Sequence, residues 1–136
     1  SFVGRSYNFD SAAGLNYVVD VTKPAGERVQ IASLADGTPF SMESEYNVAM
    51  TSYRASGGGG LMRHGAGIDT DRIDERVVEY YPEIRELIYQ YLQKNKAIDP
   101  AMTGDPALVG HWEFVPVALA EKAMDKDMEL LFPKRK

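Results

Sequence analysis

Cysteine is missing altogether from these 136 residues, which excludes disulfides and thiolate metal sites and leaves the compartment open. Histidine is scarce: His64 and His111 are the whole supply, and neither sits in an HxH or HxxxH pattern. A two-metal hydrolytic centre needs a dense set of His, Asp and Asn ligands, since two hard cations must be held with positions open for water and substrate. The chain does not offer that set, so no catalytic residue and no metal ligand is assigned within it. Apolar runs are short as well. None approaches the roughly 20 residues of a membrane span, and no signal peptide is visible.

Positive charge is in deficit. Fifteen Lys and Arg stand against 20 Asp and Glu, for a net charge of −5, whereas a surface that tracks a nucleic-acid polymer needs at least one basic face. The one basic cluster, Lys134-Arg135-Lys136, reads as a solvated tail. Nucleophile motifs are missing too. Ser52 and Ser56 flank Tyr53-Arg54, but there is no GxSxG elbow and no histidine with a clear acidic orienter.

What is present is an ordinary globular composition, 44% hydrophobic and 26% charged, in a length that suits one domain. Leu15 to Val21 is rich in β-formers and closed by Lys23-Pro24-Ala25-Gly26, so it reads as a strand. A second strand covers Arg28 to Leu34, with Ala35-Asp36-Gly37-Thr38-Pro39 as its turn. Alternation over Tyr46 to Tyr53 predicts a third, making an antiparallel meander. Beyond Pro82, the apolar spacing of Ile84, Leu87, Ile88, Tyr91 and Leu92 predicts a helix over 83–94 with Leu87 and Tyr91 buried. His111 to Val115 reads as a short strand ended by Pro116. A last helix from Val117 to Leu131 is expected to bury Ala120, Ala123, Met124 and Leu131. The order predicts an α+β fold: a mixed sheet with a β-meander, followed by helices packed on it.

The densest signal is Tyr46 to Gly60, where an aromatic residue and an arginine precede four consecutive glycines. Such a run gives up backbone order and side-chain packing together, which is useful where something must approach the backbone closely. It is not a P-loop, for want of the lysine and hydroxyl, and it lacks the dinucleotide spacing. Tyr53 at its mouth suggests a flat ligand held between a ring and exposed amides; packing into a core is the alternative. Arg54 reads as the partner of a carboxylate, with phosphate as the alternative. Ser56 is expected to fix the start of the loop through local backbone hydrogen bonds. In Tyr7-Asn8-Phe9, the asparagine can read a base edge and the rings can stack on bases.

The run Ser52 to Gly59, together with Tyr7-Asn8-Phe9-Asp10 and Gly14 to Pro24, resembles the C-terminal domain of bacterial 5′-nucleotidases and 2′,3′-cyclic-nucleotide 2′-phosphodiesterases. His111 to Pro116 resembles a shorter element of some members. The resemblance implies a 5′-nucleotidase C-terminal-domain-like fold, and a nucleotide or nucleoside as ligand. It also implies a partner, an N-terminal calcineurin-like metallophosphoesterase domain in cis or as a separate chain, with two divalent metals of the Zn or Mn type. In that family the base is stacked between two aromatic rings and the phosphate reaches the metals by domain rotation. Carried over, Tyr53 is the second stacking ring, Gly57, Gly58 and Gly59 form the loop beside the base, and Tyr7 and Asn8 approach the nucleoside with their backbone. The first ring belongs to a family segment upstream of Ser1, and Gly59 stands where some relatives carry an acidic residue.

These readings make residues 1–136 the substrate-binding domain of such an enzyme, expected to be incomplete on its N-terminal side because the chain opens in mid-motif. The chain alone is expected to be inactive. A periplasmic or otherwise extracytoplasmic location follows from the resemblance alone. The alternative is a non-catalytic binding or scaffolding module with a structural glycine loop.

Overall fold

The computed structural model describes residues 9–97 and 111–133. They fall into two compact units, Ser1–Met42 with Asp99–Lys136, and Glu43–Ile98. The architecture is α+β, with a small mixed sheet and helices.

The first unit holds the sheet. Strand β1 (Leu15–Asp20) pairs antiparallel with β2 (Val29–Leu34), Val18 opposite Gln30 and Val19 opposite Val29, with a register shift between Asn16 and Tyr17. The connecting turn is closed by Asp20, whose Oδ1 accepts from the Thr22 backbone N–H at 2.9 Å and from Thr22 Oγ1 at 2.6 Å. This is the local carboxylate capture that makes Asp a turn residue. Beyond β2, Asp36 captures the Thr38 N–H at 2.8 Å in the same way.

The third strand, β3 (Trp112–Val115), lies on the other side of β1 and runs parallel to it, so the order is β2-β1-β3. Tyr17 stands opposite Trp112. Their rings stack at 5.9 Å with planes 9° apart, and Phe114 meets Trp112 edge-on at 5.2 Å. Phe9 adds tilted contacts to Trp112 and Phe114. Each well-placed aromatic pair is worth about 0.5–1.5 kcal/mol beyond its area. Helix α3 (Val117–Leu131) follows Pro116, whose carbonyl accepts from the Leu119 and Ala120 N–H groups, and it packs on β3 through its first turns. Tyr17 and Ala120 are the buried hydrophobic residues among those described. Ala123, Met124 and Leu131, expected to be buried, are exposed. Ala120, near the helix start, is the buried residue of α3, and the apolar periodicity continues past it.

The second unit carries the remaining correction. Residues 46–51 form no strand, and Ser52–Ala55 is instead a single helical turn, α1. Thr51 explains the change: its Oγ1 accepts from the Arg54 N–H at 3.3 Å, an N-cap that starts a helix where alternation alone predicted extension. The sheet is therefore completed by β3, and the meander stops at two strands. Helix α2 (Ile84–Asn95) forms where the spacing placed it and ends at Lys96 in the left-handed region. Leu87 and Tyr91, expected to be buried, are each 40% exposed. Their stripe is helical in period, yet both side chains keep a large share of their surface exposed.

Candidate functional site

Every described residue of the predicted site lies in the second unit. Around Tyr53 the chain makes one turn of helix and then leaves it abruptly. Ser56 Oγ donates to the Ser52 carbonyl at 2.7 Å, and the Ser56 and Gly57 N–H groups bond the Ser52 and Arg54 carbonyls. The expected local role of Ser56 is thus observed. Gly57 then takes φ 100°, a left-handed conformation that residues with a side chain rarely adopt, and reverses the chain. Gly58–Gly60 is a 3₁₀ turn with the Gly60 N–H on the Gly57 carbonyl at 2.9 Å, and Leu61–Gly65 continues as a π turn. Gly59 and Gly60 also have positive φ, 75° and 74°.

The loop is held from behind by two side chains that the sequence did not mark. A Cβ on Gly57 would come within 3.2 Å of Thr70 Oγ1, and one on Gly60 within 2.9 Å of His64 Cδ2. Thr70 belongs to the 3₁₀ turn Thr70–Arg76, whose N-cap is Asp69. Arg63 ties that turn back to the loop, reaching Thr70 Oγ1 and Asp71 Oδ1, both at 3.2 Å. These ionic contacts are more than half exposed and worth little energy individually, so their part is to fix geometry.

On the front, Tyr53 lies in α1 and not at the end of a strand. The residue is 65% exposed. It rests against Gly58, where an added Cβ would come within 2.5 Å of ring carbons Cε1 and Cζ. The Arg54 guanidinium carbon lies over the same ring, 5.5 Å from its centroid, and Arg54 Nη1 donates to the Gly58 carbonyl at 3.1 Å. The structure thus brings Tyr53, Gly57 and Gly58 together with Gly59. Tyr7 and Asn8 lie outside the described residues. Sequence reasoning gave Arg54 a carboxylate partner and did not anticipate its contact with the ring and the loop. Its position four residues ahead of Gly58 was the available signal.

Chemically, an exposed ring beside bare backbone can hold a flat ligand but cannot activate water. Among the described residues no three His, Asp or Glu side chains are grouped to hold a metal ion, and no helix is long and apolar enough to cross a membrane.

The chain is 33% identical over 125 residues to the trifunctional nucleotide phosphoesterase protein YfkN of Bacillus subtilis, covering 84% of this chain and 8% of that protein. It is 28% identical over 130 residues to the 2′,3′-cyclic-nucleotide 2′-phosphodiesterase/3′-nucleotidase of Haemophilus influenzae, covering 87% of this chain and 18% of that one. The chain therefore spans less than a fifth of either relative. No solved structure matches it significantly. The family model for the 5′-nucleotidase C-terminal domain matches residues 2–64, which include the Tyr53 turn and the four glycines. Through that segment, the chain belongs to the 5′-nucleotidase C-terminal domain family.

Proposed function

We propose that this chain binds the nucleoside part of a nucleotide and presents its phosphoester to a metal-dependent phosphoesterase half, on the same chain or a separate one. The observation that carries the reading is Tyr53, a residue 65% exposed whose ring lies against Gly58 of the glycine loop. A buried tyrosine would be core, whereas an exposed ring next to bare backbone is a stacking platform, and base–aromatic stacking is worth about 1–3 kcal/mol. Gly57, Gly58 and Gly59 leave room for the base edge, and Tyr7 and Asn8 are proposed to complete the contact.

The described residues do not fit a metal centre, so the two divalent ions of the Zn or Mn type are assigned to the phosphoesterase half. There they supply an activated water and neutralise charge on the phosphoester. The names of the two relatives support nucleotide phosphoesters as the substrate class. A periplasmic or otherwise extracytoplasmic location is part of the same proposal.

The test is Tyr53→Ala in the enzyme that carries this domain. It is expected to raise KM for nucleotides about tenfold or more, while hydrolysis of a small base-free phosphoester stays the same. Tyr53→Phe should be nearly silent, because stacking uses the ring and not the hydroxyl. Equal impairment of both substrates, or loss of folding, would show that the tyrosine is core.

A further inference from the structure

We propose that Arg54 is a positioning residue: it clamps the Tyr53 ring to the glycine loop so that one ring face is presented in a fixed orientation to the base. The inference rests on the nucleobase reading and adds a residue to it. Three observations converge. The guanidinium carbon is 5.5 Å from the Tyr53 centroid, within the range at which a cation is attracted to a ring face. Nη1 of the same guanidinium donates to the Gly58 carbonyl at 3.1 Å. The ring in turn lies where a Gly58 Cβ would be, within 2.5 Å of Cε1 and Cζ.

Ring, guanidinium and Gly58 peptide therefore hold one another in place. This matters because Tyr53 is exposed and lies in a four-residue helix, where little else would fix its rotamer. A freely rotating platform must be ordered when ligand binds, and that cost is subtracted from affinity. Arg54 imposes the order beforehand. With Arg54 and Gly58 both against the ring, Tyr53 still keeps 65% of its surface exposed for a base. The role differs from phosphate binding, since a guanidinium engaged with Gly58 and the ring acts on the base subsite through Tyr53. It also requires arginine specifically. Lysine keeps the charge but lacks the planar fork that can stack on a ring and donate sideways to a carbonyl.

The experiment compares Arg54→Met and Arg54→Lys with Tyr53→Ala in the enzyme that carries this domain, using 5′-AMP and p-nitrophenyl phosphate as substrates. Both Arg54 variants should raise KM for 5′-AMP about fivefold and leave p-nitrophenyl phosphate hydrolysis and the melting temperature unchanged. In the 136-residue chain labelled with ¹³C on tyrosine rings, Arg54→Met should move the Tyr53 signals without any ligand present. A KM rise for both substrates would make Arg54 a phosphate ligand and overturn the proposal. So would unmoved Tyr53 signals, full rescue by Arg54→Lys, or an unchanged KM for 5′-AMP in a background where Tyr53→Ala raises it. If Tyr53→Ala also leaves KM unchanged, the nucleobase reading itself falls, and the two failures are thereby told apart.

Discussion

His111 and Asn16 are 95 positions apart in sequence, yet His111 Nδ1 and Asn16 Oδ1 meet at 2.7 Å. Asn16 Nδ2 donates onward to Ser33 Oγ and the Leu34 carbonyl, both at 2.8 Å. One asparagine on the central strand thus ties both neighbours to it at one end of the sheet. Because its amide nitrogen is committed to acceptors, its oxygen must accept, so His111 carries its proton on Nδ1. His111 Nε2 is buried and without a hydrogen-bond partner among the described residues.

Asn16→Leu should therefore destabilise the first unit by about 1–3 kcal/mol. It leaves His111 Nδ1 without its acceptor and takes a donor from Ser33 Oγ and the Leu34 carbonyl, which keep their mutual bond. Trp112 is the only tryptophan and stacks on Tyr17 in the same sheet, so its fluorescence can follow urea unfolding directly. An unchanged midpoint would mean that the tie contributes nothing.

The two aspartate turns predict a contrast in titration. Thr22 holds the Asp20 carboxyl below its ordinary 3.8 chiefly through its side-chain hydroxyl, and next through its backbone N–H. At Asp36, also lowered, the Thr38 backbone N–H is the larger cause and the hydroxyl the smaller. A depressed carboxyl favours the fold while ionised. Each turn's contribution is complete above the unfolded value and is lost as pH falls through the folded one. Thr22→Val should raise Asp20 towards 3.8 by more than Thr38→Val raises Asp36. Carboxyl ¹³C titrations read both, and equal shifts would contradict the assignment of causes.

Local signals carried the fold furthest. The β-formers of Leu15 to Val21, the turn chemistry around Asp20 and Asp36, the 3.6-residue spacing of α2 and the proline before α3 each gave the right element. Pairing was not legible in the same way: nothing near His111 to Val115 shows that the strand joins β1 in parallel, because that contact spans most of the chain. Residues 46–53 failed for a different reason. Their alternation is real, but Thr51 supplies a cap, and a single hydroxyl bond turned the last residues into a helix. At the candidate site, four consecutive glycines after an aromatic residue marked the loop, and the structure places the Tyr53 ring against Gly58. The contact of Arg54 with that ring was not legible in the same way.

Hydrolysis gives the simplest check on the division of labour. The 136-residue chain assayed with 5′-AMP or 2′,3′-cyclic AMP in added Mn²⁺ or Zn²⁺ should show no turnover above a protein-free control. Its described residues group no three metal-binding side chains, and a bare loop can only position a substrate. Turnover that persists through repurification would sink this expectation. Activity that appears on adding the phosphoesterase half would support it.

Gly58 and Gly65 form a matched pair for testing the platform. Both lie in the second unit, and neither has a positive φ, so alanine is compatible with the backbone at each. They differ in what a Cβ would meet. Gly65 has nothing within 4 Å, whereas Gly58 has the Tyr53 ring carbons at 2.5 Å and the Tyr53 carbonyl oxygen closer still. Gly58→Ala must therefore displace both the Tyr53 carbonyl and the ring, and with them the surface offered to a base. Gly65→Ala should change nothing or slightly stabilise, by about 0.4–1 kcal/mol from the stiffer unfolded chain. In the enzyme that carries this domain, Gly58→Ala is expected to raise nucleotide KM severalfold and to leave a base-free phosphoester unaffected. Tyr53→Ala combined with Gly58→Ala should raise nucleotide KM by less than the product of the two single effects, because a ring already removed cannot be displaced again. Full additivity of the two would show that Gly58 acts on the ligand independently of Tyr53.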